Sequence, residues 1–136
     1  MTHREHSFEN MDFYVKNFEN PAHLEWQKPD EVVRSMNLKN GDMVADIGAG
    51  TGYFARRIAR AVAPRGSVTG CDTEIKMVEY MREDVRRPGY ANYHAEFVPR
   101  DNPPPPAGPF DVIFMRNTYR HTENRVACLR ATRHAL

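Results

Sequence analysis

The sequence is short of several things that would set its class. It has two cysteines in 136 residues, Cys71 and Cys128. That is too few and too widely spaced for a disulfide framework or a thiolate metal site, and no metal is expected. Each cysteine falls inside a predicted regular element, so each reads as a buried free thiol. No apolar run approaches the roughly 20 residues of a membrane span. The opening segment, MTHREHSFEN, has no apolar stretch of the secretory kind, which points to the cytoplasm. Neither charge dominates. Lys and Arg number 19 against 18 Asp and Glu, for a net charge of +1, so no global field calls for nucleic acid or an anionic membrane. The basic residues lie along predicted helices beside acids and read as solvated faces.

What is present suits one soluble α/β domain. Hydrophobic residues make up 40% of the chain, enough for a core. Residues 1–28 read as an N-terminal helical segment, with Phe8, Met11, Val15 and Phe18 on one face. Phe13, Tyr14, Phe18 and Trp26 would lid a substrate pocket or pack on the core. Residues 29–136 form the main domain. Pro29 suits the first turn of a helix with Val32, Val33 and Met36 on one side. MVADI, 43–47, predicts a central strand, and Tyr53 to about Ala63 a helix with Phe54, Ile58, Ala61 and Val62 inward. SVTGC, 67–71, predicts the second strand. Asp72 or Thr73 would cap the next helix, whose inner residues are Met77, Val78, Met81 and Val85. NYHAEFV, 92–98, predicts a third strand and FDVIFM, 110–115, a fourth. The proline run Pro103–Pro106 between them is an extended connector. A last helix is expected over 123–134, capped by Thr122. Such alternation implies a parallel sheet with right-handed crossovers, covered by helices on both faces. Ligands of such sheets bind beyond the carboxyl ends of the strands, where strand order reverses.

The loop that follows the central strand is rich in glycine: DIGAGTG, 46–52. Glycines let the backbone turn sharply and approach a ligand closely. A dinucleotide loop uses the spacing G-x-G-x-x-G/A, with pyrophosphate on the helix N-terminus. Read from Gly48, the third position here is Tyr53, too bulky for that scheme. No Gly-Lys-Ser/Thr follows, so the phosphate-binding Walker pattern fails as well. Asp46 would repel a pyrophosphate and suits a cationic ligand end. Asp72, at the tip of the second strand, is placed to accept both hydroxyls of a ribose. The site therefore calls for a ribose, a positive group and no phosphate, features that S-adenosylmethionine combines.

VADIGAGTGYFARRIA, GSVTGCDTEIKMVEYMRE and FDVIFMRNTYRH, in this order, resemble class I S-adenosylmethionine-dependent methyltransferases. EWQKPDEVV and NTYRHTENRV resemble a bacterial-type subgroup with WQKP ahead of the glycine loop and NTY-x-H after strand four. The resemblance covers about residues 8–136. It implies a three-layer Rossmann-like sandwich with strand order 3-2-1-4. It implies S-adenosylmethionine as cofactor, with its methionine part on Asp46 and the backbone of Gly48, Ala49, Gly50, Thr51 and Gly52. Its ribose would lie on Asp72, with Thr73 beside it, and its adenine near Asp101. Asn117 would lie near the methyl group and acceptor. Tyr119 and His121, on the same loop, are the candidate bases if the acceptor must lose a proton.

The acceptor is expected to be a small molecule. No Asn-Pro-Pro-Tyr-type segment suggests a base amine, no basic or aromatic platform suggests RNA, and no cysteine cluster suggests arsenic. Relative to the family, the chain is expected to lack the last three strands. Strand four would then be an open edge, prone to pairing with another copy. Besides methyl transfer, the sequence leaves open a noncatalytic remnant that binds the cofactor, or a partner through that edge.

Overall fold

The structure, a computed structural model, describes residues 28–98 and 109–115. Pro29 opens the first helix, α1 (Pro29–Ser35), where its missing N–H is not needed. Asp30 and Glu31 lie in the first turn of α1 and Arg34 in the last, each sign at the helix end that favours it. The elements that follow are β1 (Met43–Ile47), α2 (Tyr53–Val62), β2 (Ser67–Asp72), α3 (Ile75–Val85), β3 (Tyr93–Phe97) and β4 (Val112–Met115).

The strands form one parallel sheet in the order β3-β2-β1-β4, the Rossmann-like order expected from the sequence. β1 is central: Ala45 pairs with Thr69 of β2 on one side and Ile113 of β4 on the other. The chain moves outward through β2 to β3 and then returns past β1 to β4. Strand order thus reverses at the carboxyl end of β1, where the glycine loop begins.

Period-2 alternation divides the residues of β1 between two faces. Val44 packs with Val68, Tyr93, Ile58 and Val78, the layer beneath α2 and α3. Ala45 packs on the opposite face with Phe110 and Ile113. Val33 ties α1 to the first of these clusters. The helix expected over 123–134 lies outside the described residues, as do the N-terminal segment and Cys128. Cys71 is the buried free thiol expected of it.

Local details differ from the sequence reading. On α2 Phe54, Ile58 and Val62 are buried as expected, Tyr53, Ala55 and Ala59 are buried with them, and Ala61 is exposed. The i, i+3, i+4, i+7 stripe starts at Ala55, and Ala61 falls off it. α3 has its N-cap at Glu74 rather than Asp72 or Thr73. The Asp72 carboxylate accepts the Glu74 N–H at 2.9 Å, a turn bond just ahead of the helix. β3 begins at Tyr93, and just ahead of it the Asn92 side chain donates to the carbonyls of Ala59 and Gly66. β4 begins at Val112, and just ahead of it Asp111 is clamped to β1. Its N–H donates to the Met43 carbonyl at 2.7 Å, and its carboxylate accepts the Met43 N–H at 2.8 Å.

The turn from α2 into β2 has no room for a side chain. A Cβ at Gly66 would overlap the Asp42 carbonyl and lie 2.7 Å from both the Cβ and the carbonyl oxygen of Val62. The overlap is with backbone, which cannot rotate away. We predict that Gly66→Ala destabilises the fold by about 1–3 kcal/mol in urea denaturation. A loss within error of zero would show that this turn can move.

Candidate functional site

The loop between β1 and α2 is held in a conformation that favours glycine. Gly48, Gly50 and Gly52 have φ of 73°, 59° and 83°. Its amides are largely engaged within the protein. The N–H groups of Gly48 and Ala49 both donate to the Cys71 carbonyl, at 2.8 and 2.9 Å. Gly50 N–H donates to Asp72 Oδ2 at 2.9 Å, and Gly52 N–H to the Ala49 carbonyl at 2.9 Å. A phosphate loop presents its amides to the ligand. This loop has turned four of them inward. A Cβ at Gly50 would meet nothing within 4 Å, so the loop faces open space there.

Two carboxylates lie at this end of the sheet. Asp46, on β1, is 3% exposed. Its Oδ2 is buried and finds no hydrogen-bond partner among the described residues. Burial, and secondarily the Asp72 charge, push its pKa up to about 8. Asp72 closes β2. Its Oδ2 takes Gly50 N–H and its Oδ1 takes Glu74 N–H. Burial raises its pKa, while the backbone N–H groups of Glu74, Gly50 and Thr73 act in the opposite direction. Each of its oxygens retains capacity for a further bond. The arrangement offers one acid that lacks a cation and one that is already oriented.

Beneath the loop is a support that the sequence reading missed. Arg56, one turn into α2, donates from Nη1 to the Thr51 carbonyl at 3.1 Å and to Asp84 of α3 at 2.5 Å. Asp84 is 2% exposed. The Tyr93 ring lies beneath Gly52, where an added Cβ would overlap the phenol hydroxyl. That hydroxyl is buried without a hydrogen-bond partner among the described residues, and burial raises its pKa. Asp84 carried a signal in the sequence: it sits three residues after Met81 and seven after Met77, on the apolar stripe of α3. Arg56 carried one too, as a cation in the first turn of a helix, where the dipole disfavours it.

The structure therefore brings together Asp46, Gly48, Ala49, Gly50, Thr51, Gly52, Asp72 and Thr73. Asp101, Asn117, Tyr119 and His121 lie outside the described residues, as do Phe13, Tyr14, Phe18 and Trp26. Among the described residues no helix is long and apolar enough to cross a membrane, and no cluster of potential metal ligands occurs.

Residues 44–136 match the family model described as "Methyltransferase domain". The chain is 32% identical over 84 residues to the protein-L-isoaspartate O-methyltransferase of Ignicoccus hospitalis, an overlap of 62% of this chain and 40% of that protein. It is 34% identical over 70 residues to the demethylmenaquinone methyltransferase of Geobacillus kaustophilus, covering 52% of this chain and 29% of that protein. The matched region thus spans less than half the length of either relative. The crystal structure of a SAM-dependent methyltransferase from Aquifex aeolicus superposes with a TM-score of 0.80 at 27% identity, over 90% of this chain and 65% of that one.

Two predictions follow from the geometry of these buried groups. The Asp46 carboxyl keeps its proton up to about pH 8, against 3.8 for an ordinary aspartic acid. Between those values the folded state binds the extra proton, so its contribution to stability is full below about pH 4 and is lost as pH rises toward 8. Asp46→Asn removes this slope, and thermal melts at pH 8 should show the variant more stable by about 1–3 kcal/mol. A variant with the wild-type slope would contradict the assignment. Separately, Gly52→Ala should cost about 1–3 kcal/mol, and markedly less in a Tyr93→Phe background that lacks the overlapping hydroxyl. Strict additivity in that double-mutant cycle would show that the two residues do not press on each other.

Proposed function

The chain belongs to the methyltransferase-domain family, and on that premise we propose that it is an S-adenosylmethionine-dependent methyltransferase acting on a small-molecule acceptor. The observation that carries this reading is the buried Asp46 oxygen without a partner, beside a loop whose amides point inward. Such a site attracts a cation and has few donors left for phosphate. Asp46 would hold the amino-acid ammonium of the cofactor. Open space at Gly50 admits the cofactor's body against the backbone. Asp72, preoriented by two backbone N–H groups, accepts the ribose hydroxyls with its remaining lone pairs.

When bound, the cofactor supplies a methyl group on a sulfonium with a neutral leaving group. The protein's part is alignment and exclusion of water. The loop and the two acids fix one end of the cofactor. In this reading Asp101 lies by the adenine and Asn117 by the methyl group and acceptor. Tyr119 and His121 serve as bases where the acceptor must lose a proton. The relatives' names include one protein acceptor and one small-molecule acceptor, demethylmenaquinone. Our reading takes the small-molecule class, the one carried by the name of the demethylmenaquinone methyltransferase.

Calorimetric titration of the 136-residue chain with S-adenosylhomocysteine tests the reading. Micromolar binding is expected, with none for NAD. Asp72→Ala should weaken binding by about 1–3 kcal/mol through loss of charge-assisted hydrogen bonds. A folded wild-type chain that does not bind contradicts the cofactor assignment. An Asp72→Ala variant of unchanged affinity contradicts the ribose role alone.

A further inference from the structure

We propose that Asp84, acting through Arg56, is a positioning residue that holds the glycine loop in its ligand-receiving conformation; this deepens, and rests on, the cofactor reading above. The loop has three glycines at positive φ within five residues, and glycine brings backbone freedom along with permissive geometry. A ligand that must find the loop in one shape benefits from holding it there beforehand. Two sets of bonds do this. From the β2 side, the Cys71 carbonyl and the Asp72 carboxylate hold the amides of residues 48–50. From beneath, Arg56 Nη1 holds the Thr51 carbonyl at 3.1 Å, on the stretch that leads from the site into α2.

Asp84 fixes where Arg56 can be. The two meet at 2.5 Å, with side chains 16% and 3% exposed. Arg87 approaches the other Asp84 oxygen at 3.4 Å from the more exposed side, so Asp84 is compensated on both oxygens. Asp84 lies on α3 and Arg56 on α2, and the pair therefore ties the loop to a helix that follows the next strand. A buried ion pair is a poor way to gain stability, since an apolar pair of similar size does as well or better. What apolar side chains would not supply is a donor for the Thr51 carbonyl. Tyr93 completes the support, with its ring directly under Gly52.

The test separates positioning from stability. The double variant Arg56→Met/Asp84→Met removes both charges at once and leaves neither buried alone, so its melting temperature should stay near that of the wild type. Its affinity for S-adenosylhomocysteine, measured by calorimetry on the full chain, should fall by about tenfold or more. A folded double variant that binds like the wild type overturns the proposal. If the double variant does not fold, Arg56→Lys decides: it keeps the charge facing Asp84 but shortens the reach to Thr51. A severalfold loss of affinity at an unchanged melting temperature supports positioning, and unchanged affinity overturns it. Absence of binding by the wild-type chain overturns the cofactor reading, and this inference with it.

Discussion

The carboxylate of Asp46 is buried at the end of the central strand, with hydrogen-bonded strands on both sides of it. Few positions in a parallel α/β sheet are less hospitable to a negative charge. An unpaired ion there loses most of its hydration and gains nothing in return, so in the unliganded protein it holds a proton well past the usual range for a carboxyl. Asp72, on the neighbouring strand end, adds to the cost. The chain keeps two acids together at the place where its fold opens to ligand, and one of them has an oxygen with no bond among the described residues. A cation delivered to this site would relieve both penalties.

The glycine loop follows from the same constraint. Superficially it resembles the phosphate loops that begin many nucleotide-binding folds. Its hydrogen bonding differs: the Cys71 carbonyl and the Asp72 carboxylate have taken the amides that a phosphate would use. The glycines here serve close approach and positive φ more than anion binding. A loop so folded has to be supported, and the support is distributed over α2, α3 and β3 through Arg56, Asp84 and Tyr93. The ligand-facing surface and the packed layer beneath it are thus one mechanical unit.

Much of this was legible in the sequence because it is local. The apolar run 43–47, the acid before the glycines and the acid closing the second strand are each encoded within a few residues; alternation of strand and helix implied a parallel sheet, and the family resemblance supplied its order. What was not legible depends on meetings across long sequence separations. Arg56 and Asp84 are 28 residues apart, and the close approach of Tyr93 to Gly52 spans three elements. Neither pairing leaves a periodic trace, although an acid on the apolar stripe of α3 was a sign that a partner existed. Ala61 was misplaced for a different reason. Alanine is small enough to sit on either face, and only the phase set by Ala55, Ile58 and Val62 decides which. β3 and β4 start at Tyr93 and Val112, after the expected positions 92 and 110, next to Asn92 and Asp111, whose side chains bond to backbone.

In the proposed cofactor reading, a cation from the ligand replaces the proton on Asp46. Calorimetric binding of S-adenosylhomocysteine at pH 7, repeated in buffers of different ionisation enthalpy, measures proton exchange directly. If the ligand's ammonium takes up the Asp46 oxygen, binding releases close to about one proton in the wild type and essentially none in Asp46→Asn. Binding with no proton release, or the same release from both chains, would contradict it.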